Sequence, residues 1–550
     1  HRLRTQKRCI HVSRVVLGPA NTNAHDHTDG SRGLGMNTHP NGEGTLTGGR
    51  KAIAAVALAL GTFMQVLDTS IANVSIPTIA GNLGVSADQG TWVITSFAVA
   101  NGVTVPITGW LMQRFGVVRT FLTSVALFTI VSLLCGLSWS LASLVVFRVL
   151  QGAVSGPMIP GSQALLINVF GSERRTTALG IWSMTSLVAP IAGPLLGGYI
   201  SDNYIWPWIF LINVPVGVFC IAVCWVTLKG QETATRKLPV DRVGLLLLFV
   251  WVGALQVMLD QGKDLDWYSS PLICALLVIT LIAFAAWLIW ELTEEHPAVD
   301  LRLFTSRSFT LGTIAFCLGY ALFFGNLVLM PLWLQSFIGY TATWAGVVSA
   351  PSGVTAILAS LLVGRLMGRI DPRVLGATAF AIFAASYFMR AGLTSDASLM
   401  AFIAPQLVQG FAIGIFFVAM LAVIFDGQAQ ENIPAASGLS NFLRITAGSF
   451  ATSITTTMWD RREALHQTRL AESISAYSPA YHDSLIPLQQ LGLTGQRASG
   501  ALAQSLISQG YLLSSLDLFY ISALLAIALM PLCFLVRRPV VSGAVTAAAD

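Results

Sequence analysis

Phe63-Met64-Gln65-Val66-Leu67-Asp68-Thr69-Ser70-Ile71-Ala72-Asn73-Val74-Ser75-Ile76-Pro77 forms the outer part of the first long apolar run of the chain. The run opens at Lys51 and meets no charged side chain except Asp68 before Asp88. Asp68 is therefore a carboxylate where hydrocarbon is expected. An ionisable group at membrane depth costs about 2.5 to 3.5 kcal/mol even on lenient insertion scales, and such groups face a bundle interior or a water-filled path. This makes Asp68 a candidate proton-carrying site. The residues alone leave a second reading open. At about 1.5 Å per residue Asp68 lies roughly 25 Å from Lys51, near enough to the far end of a span to act as a helix cap or interfacial group.

The rest of the chain is of the same kind. Charged residues make up 10% of it and hydrophobic ones 54%, and the mean hydropathy is +0.69, which excludes a soluble globular domain of this length. The class is all-α integral membrane protein, with the bilayer as a partner. Apolar runs are read as spans near 52–76, 91–112, 120–137, 142–168, 177–200, 207–228, 242–260, 271–291, 309–335, 344–367, 374–391, 399–424, 436–458 and 514–535, about fourteen helices. If the spans alternate, Arg50/Lys51, Arg114/Arg119, Arg174/Arg175, Lys229/Arg236/Lys237/Arg242, Arg302/Arg307, Arg365/Arg369/Arg373 and Arg537/Arg538 all fall on one side. Short loops on the other side hold little beyond Lys263 and Arg390, so both termini are expected in the cytoplasm. The net charge of +5 thus reports orientation and not nucleic-acid binding. Trp92, Trp139, Trp206, Trp208 and Trp267 are expected to line the outer interface as an aromatic belt.

Of the seven cysteines, Cys135, Cys220, Cys224, Cys274, Cys317 and Cys533 fall in apolar runs and Cys9 in the tail, so no disulfide framework or metal site is expected. The chain begins with His1, and residues 1–50 are polar and basic, read as a disordered cytoplasmic tail. Met36 opens a more ordinary start, and residues 1–35 are read as a non-native upstream extension. His25-Asp26-His27 has metal-binding residue types, but in such a tail they are read as solvated polar residues.

Sliding the chain by roughly 255 positions reveals a repeat. Gly109-Trp110-Leu111-Met112-Gln113-Arg114 falls on Gly364-Arg365-Leu366-Met367-Gly368-Arg369, Gln151-Gly152 on Gln409-Gly410, Thr91-Trp92 on Thr343-Trp344, and Pro77 on Pro331. Two parallel six-helix halves with two helices inserted between them account for this. The expected divisions are a first bundle over 51–230, two additional helices and a linker over 231–305, a second bundle over 306–535 with an external loop at 459–513, and a cytoplasmic tail over 536–550.

Two parallel six-helix halves meeting at a cavity are the build of the major facilitator superfamily, which the sequence resembles from about Lys51 to Arg538. It is most similar to the fourteen-span drug:proton antiporter branch and, within that, to EmrB-type inner-membrane pumps. Leu67 to Pro77 resembles the first-helix motif of the branch, and Trp206-Pro207-Trp208-Ile209-Phe210-Leu211-Ile212-Asn213-Val214-Pro215 its sixth-helix entry. Asp260-Gln261-Gly262-Lys263-Asp264-Leu265-Asp266-Trp267 and Ser440-Asn441-Phe442-Leu443-Arg444-Ile445-Thr446-Ala447-Gly448-Ser449 resemble the EmrB type. The resemblance implies proton-coupled export of lipophilic or cationic toxic compounds, driven by the proton gradient with no cofactor. It also implies the bacterial inner membrane, together with a periplasmic adaptor protein and an outer-membrane channel as partners. Proton-coupled transport of a specific metabolite or a siderophore-like compound is the alternative.

Gly109, Leu111, Arg114, Gly116 and Arg119 form the short turn between the second and third spans. It resembles the gate motif of the superfamily, with Gln113 where that motif carries an aspartate; the arginines also fit a plain positive-inside turn. Arg148 lies inside the fourth span, where a buried guanidinium needs acceptors. Its position resembles the fourth-helix arginine implicated in proton exchange, and it is read as linked to Asp68; a structural arginine bonded to carbonyls is the rival reading. Ala189, Gly193 and Gly197 recur every four residues through Pro194 and Gly198, a smooth stripe resembling the antiporter signature of drug exporters. Gln65, Asn73, Tyr320, Phe323, Phe324 and Asn326 are expected to line a midplane substrate site, because aromatic faces with few polar groups suit bulky lipophiles or cations. The charged external loop, with helical stretches such as Arg497 to Leu513, is either a solvated cap or the adaptor's docking surface.

No lysine precedes Ser or Thr, so a Walker A phosphate cradle is absent, and none of the eight histidines lies in a span. An intramembrane enzyme is therefore not expected, and no catalytic residue is assigned.

Overall fold

The computed structural model describes residues 48–171, 174–236, 239–366, 370–474, 479–490 and 493–536. Cys9, His25-Asp26-His27, Met36, Lys237, Met367-Gly368-Arg369, Arg537 and Arg538 lie outside them, as do the expected tails over 1–47 and 537–550. The described residues form helices and no strand: α1 Gly48–Leu83, α2 Ala87–Thr104, α3 Thr108–Phe115, α4 Val117–Gly136, α5 Leu141–Ser155, α6 Met158–Phe170, α7 Arg175–Asn203, α8 Trp208–Leu211, α9 Asn213–Thr227, α10 Arg242–Gln261, α11 Pro271–Thr293, α12 Arg307–Ser336, α13 Ala342–Leu366, α14 Pro372–Ala391, α15 Leu399–Ile424, α16 Ile433–Ser473, α17 Pro479–Gln490 and α18 Gln496–Leu535.

Three pairs are single rods broken by local chemistry. Pro106 interrupts α2 and α3, which meet at 57°, and Gly156-Pro157 interrupts α5 and α6, since proline removes a ladder donor and clashes with the preceding turn. The third pair, α8 and α9, breaks at Ile212. Joining the pairs and setting α17 aside leaves fourteen rods. Among the described residues eleven helices, or twelve with the bent α2–α3 pair, are long and apolar enough to cross a membrane. The other two are α7, diluted by Ser, Thr, Gly and Pro, and α16, whose far third is charged.

Neighbours repeat between halves. In the first, α1 packs on α7 and α9, α2 on α5, and α4 on α5 and α9. In the second, α12 packs on α16 and α18, α13 on α15, and α14 on α15 and α18. The inserted α10 lies on α11 and α2 and reaches the second half through Trp251, whose ring centroid is 5.8 Å from that of Phe442.

One expectation is corrected. The stretch 459–513, expected as an external loop with helical stretches such as Arg497 to Leu513, is helical over most of its described length: α16 runs on to Ser473 and α18 begins at Gln496, so two of the rods extend past the bundle with α17 between them. Their joint is fixed by Trp459, which donates from Nε1 to Ser515 Oγ at 2.8 Å, and by Arg462, whose Nε lies 2.7 Å from Asp517 Oδ2. Of the expected belt, Trp92, Trp139 and Trp208 are exposed, but Trp206 is buried against Phe210 and Trp267 donates to Thr457 Oγ1 at 3.0 Å.

Candidate functional site

Asp68 sits in the interior of α1 with no exposed surface, so the cap or interfacial reading does not hold. Arg148 on α5 approaches it with Nη1 2.6 Å from Oδ2, and it too is fully buried. Gln151, one turn along α5, donates to Asp68 Oδ1 at 3.1 Å, and Asn213 at the start of α9 donates to the same oxygen at 2.7 Å. Arg148 also donates from Nε to the Val93 carbonyl at 2.9 Å and from Nη1 to Gln151 Oε1 at 2.7 Å. Ser132 on α4 accepts from Gln151 Nε2 at 2.7 Å. The Arg148 guanidinium lies 4.2 Å from the Phe97 ring centroid and 5.5 Å from that of Phe210.

This arrangement is what a buried ion pair requires. The desolvation of two charges is offset only when the remaining lone pairs and protons are hydrogen-bonded. The network draws on five helices, α1, α2, α4, α5 and α9, and leaves only Arg148 Nη2 without a partner, so a change in the charge on Asp68 is felt across the first half. Gln65 lies one turn before Asp68 and is buried, with Oε1 unpartnered.

The small-residue stripe of α7 lies against the same part of α1. A Cβ at Gly193 would stand 2.2 Å from Ser70 Oγ, and one at Gly197 would stand 3.3 Å from the Ile71 carbonyl oxygen. Ser70 Oγ donates to the Pro190 carbonyl at 3.0 Å, which pins the approach. Gly198 is buried beside them, and Pro194 belongs to the same helix, though its side chain is outside the described set.

At the arginine-rich end the two halves are in contact. A Cβ at Gly109 on α3 would meet Ala435 Cα at 2.7 Å. Gln163 on α6 accepts from Asn441 Nδ2 at 3.0 Å and from the Ser437 hydroxyl. Gly116 adopts φ +94°, a left-handed turn for which glycine is suited. Arg114 rests over the Trp110 and Phe115 rings at 5.3 and 5.8 Å, and the Arg119 side chain is exposed. The carboxylate at this turn comes from elsewhere. Glu232, in the linker after α9, accepts from the backbone N–H groups of Val118 and Arg119 at 3.0 Å each, capping α4. From the same linker Thr233 Oγ1 accepts from Val117 N at 3.2 Å, and Arg236 reaches Glu431 of the second half at 2.6 Å.

Of the expected substrate liners, Tyr320, Phe323 and Phe324 come together: the Tyr320 and Phe324 rings stack at 5.3 Å and Phe323 lies 6.0 Å from Tyr320. The cation on the Tyr320 face belongs to the chain itself, since the Arg444 guanidinium is 4.5 Å from that ring centroid. Asn326 is turned elsewhere, donating to Ser522 Oγ on α18 at 3.0 Å, and Asn73 is exposed.

The chain matches the family model described as Major Facilitator Superfamily over residues 58–452. It belongs to that superfamily. It is 48% identical to "Multidrug export protein EmrB" of Escherichia coli K12 over 503 residues, covering 90% of this chain and 98% of that one. It is 44% identical to "Fatty acid resistance protein FarB" of Neisseria gonorrhoeae, again over 90% and 98%. Among solved structures, the human organic anion transporter MFSD10 superposes with a TM-score of 0.53 at 13% identity, covering 88% of this chain and 99% of that one, a likeness of fold alone. Within this superfamily fold, sequence reasoning missed Gln151 and Asn213 as partners of Asp68, although each is a lone amide in an apolar run. Glu232 and Arg236 carried no local signal, because their partners are 113 and 195 positions away.

Proposed function

We propose that this superfamily member is a proton-coupled exporter of lipophilic toxic compounds in the bacterial inner membrane. The basic end, with both termini, faces the cytoplasm. The carrying observation is the ion pair of Asp68 and Arg148, wholly buried in the first half. A proton arriving on Asp68 removes the charge that Arg148 pairs with, and the guanidinium must then find other acceptors. Because Ser70 and Ile71 follow Asp68 on the helix that α7 packs against, rearrangement of the pair is transmitted to α7. That helix also packs on α13 of the second half, so the rearrangement biases how the two halves meet.

A proton gradient supplies sufficient drive. Membrane potential gives about 2.3 kcal/mol per charge per 100 mV, against about 1.4 kcal/mol for a tenfold solute gradient. The rings of Tyr320, Phe323 and Phe324 offer an apolar surface, and Arg444 beside them favours neutral or acidic lipophiles at that position. Names of the relatives, multidrug export and fatty acid resistance, support this substrate class.

The projecting ends of α16 and α18, with α17, provide the surface for a periplasmic adaptor that leads to an outer-membrane channel. Loss of adaptor co-purification on deleting 474–495 is the expected result. Transport itself is tested in inverted vesicles. Accumulation of a lipophilic dye that needs an imposed pH gradient supports export, and accumulation indifferent to that gradient refutes proton coupling.

A further inference from the structure

The repeat places a second polar cluster opposite the first. Gln409 follows Gln151 by 258 positions, and the same offset carries Arg148 to Gln406, Ser132 to Arg390 and Asp68 to Asn326. In the first half the arginine has a carboxylate of the chain as its partner. In the second half the arginine comes from α14 instead of α15, and the position corresponding to the acid is an amide turned toward Ser522.

Arg390 is fully buried, and Nη2 donates to Gln406 Oε1 at 2.9 Å and to Gln409 Oε1. Among the described residues no carboxylate pairs with it. Its Nε and Nη1 are buried without a hydrogen-bond partner, and the Gln409 amide nitrogen and the Tyr387 hydroxyl have no partner beyond each other. The guanidinium lies 5.6 Å from the Tyr387 ring centroid and 5.7 Å from that of Phe519, so these groups share one apolar enclosure. At the first-half cluster only Nη2 of the arginine is left over. A buried donor without a partner costs about 1 to 3 kcal/mol, and an unpaired buried cation costs more. Here two guanidinium nitrogens and the Tyr387 hydroxyl retain protons to donate beside one uncompensated positive charge, with both amide oxygens already committed to Arg390.

We propose that Arg390, Gln409 and Tyr387 bind a small monovalent inorganic anion of the halide class. One fixed charge calls for a monovalent partner. With Arg390 and Tyr387 at 0% and Gln409 at 3% exposure, the ligand must be compact and easily dehydrated. The bound ion accepts from one free edge of the Arg390 guanidinium and from the neighbouring Tyr387 hydroxyl, and completes in the second half the neutral pair that Asp68 completes in the first.

The test uses the purified full chain in detergent, with thermal unfolding followed as sodium chloride or sodium bromide replaces sodium gluconate at constant ionic strength. The expected result is a saturable rise in melting temperature of about 2 °C or more with either halide, absent in Arg390→Gln. Equal melting in chloride and gluconate overturns the proposal, as does a saturable difference that persists in Arg390→Gln. Should Arg390→Gln fail to fold, Gln409→Leu and Tyr387→Phe keep the guanidinium and each raise the half-saturating chloride concentration about tenfold; an unchanged value in both overturns the proposal. In bromide-soaked crystals, anomalous density beside the Arg390 nitrogens supports the site, and density only elsewhere overturns it.

Discussion

Asp68 and Arg148 face each other at 2.6 Å with neither side chain reaching solvent. Their coupling is testable as an energy. Removing one member of a buried pair strands the other and costs about 3 to 5 kcal/mol, whereas removing both strands neither. Arg148→Gln is therefore expected to lower the melting temperature more than the double change Asp68→Asn with Arg148→Gln. Asp68→Asn is expected to reduce pH-gradient-driven uptake in inverted vesicles to background while the protein still reaches the membrane. Wild-type uptake by that variant would refute the coupling role.

Arg148→Lys is a sharper probe of geometry. The guanidinium reaches the Val93 carbonyl through Nε while Nη1 engages Asp68 and Gln151, and a single ammonium cannot span those positions. Export by this variant is expected to fall at least about tenfold, which corresponds to about 1.4 kcal/mol of lost coupling. Uptake equal to wild type would show that charge alone suffices.

How far these features were legible follows from the range of the interactions. Asp68 and Arg148 stood out because a charge in an apolar run is locally anomalous. The fourteen rods and the repeat were legible because hydropathy and the glycine-rich turns are local or periodic signals. Glu232 was not, because an acid in a polar linker is unremarkable until the fold lays it on α4. Asn326 shows the same limit. Its residue type fits a binding site, but the direction of its side chain depends on Ser522, 196 positions away. The external stretch was expected to carry helical segments such as Arg497 to Leu513, but its charge pattern marks only solvent exposure, which a helix leaving the membrane shares, so the unbroken continuation of α16 and α18 was not legible.

The small residues of α7 make unequal demands. A Cβ at Gly193 would stand 2.3 Å from Ser70 Cβ, whereas one at Gly180 meets nothing nearer than the Ser360 carbonyl oxygen at 3.7 Å. Gly193→Ala must push α7 off α1 beside the ion pair and is expected to destabilise by about 1 to 3 kcal/mol and to impair export. Gly180→Ala is expected to be neutral or stabilising by up to about 1 kcal/mol, since alanine is the better helix former. Melting temperature and vesicle uptake for the two variants, measured side by side, check the contrast; similar losses in both would show that the stripe is not what matters.

Glu463, on the projecting part of α16, is 8% exposed with Oε1 unpartnered. Burial first, and then the neighbouring Asp460, push its carboxyl above the ordinary range. The folded chain thus holds this proton at pH values where the unfolded chain has released it. Stability is lost as pH rises from the ordinary glutamate value of about 4.3 through the raised folded value. Glu463→Gln is expected to raise the melting temperature at pH 8 and to leave it nearly unchanged at pH 4. A gain of equal size at both pH values would assign the effect to packing and not to ionisation.

The linker after α9 gives the last prediction. Glu232 caps α4 through two backbone N–H groups, and four residues later Arg236 crosses to Glu431, so one segment ties the gate turn of the first half to the second half. The crossing ion pair is exposed, and pairs of that kind contribute at most about 1 kcal/mol, so its loss shifts the closed state without unfolding the protein. Ser437→Cys, a near-isosteric change at a buried position of the seam, supplies a reporter once the native cysteines are replaced. Arg236→Glu sets like charges together and is expected to raise labelling of that cysteine by a membrane-impermeant thiol reagent several-fold from the basic side. Adding Glu431→Arg restores the pair with reversed sign and is expected to return labelling to its starting level. Glu232→Gln weakens the charge-assisted cap and is expected to raise labelling in the same direction. If the reversed pair labels as fast as the single variant, the linker is not a clasp and the seam is held by Gln163, Ser437 and Asn441 alone.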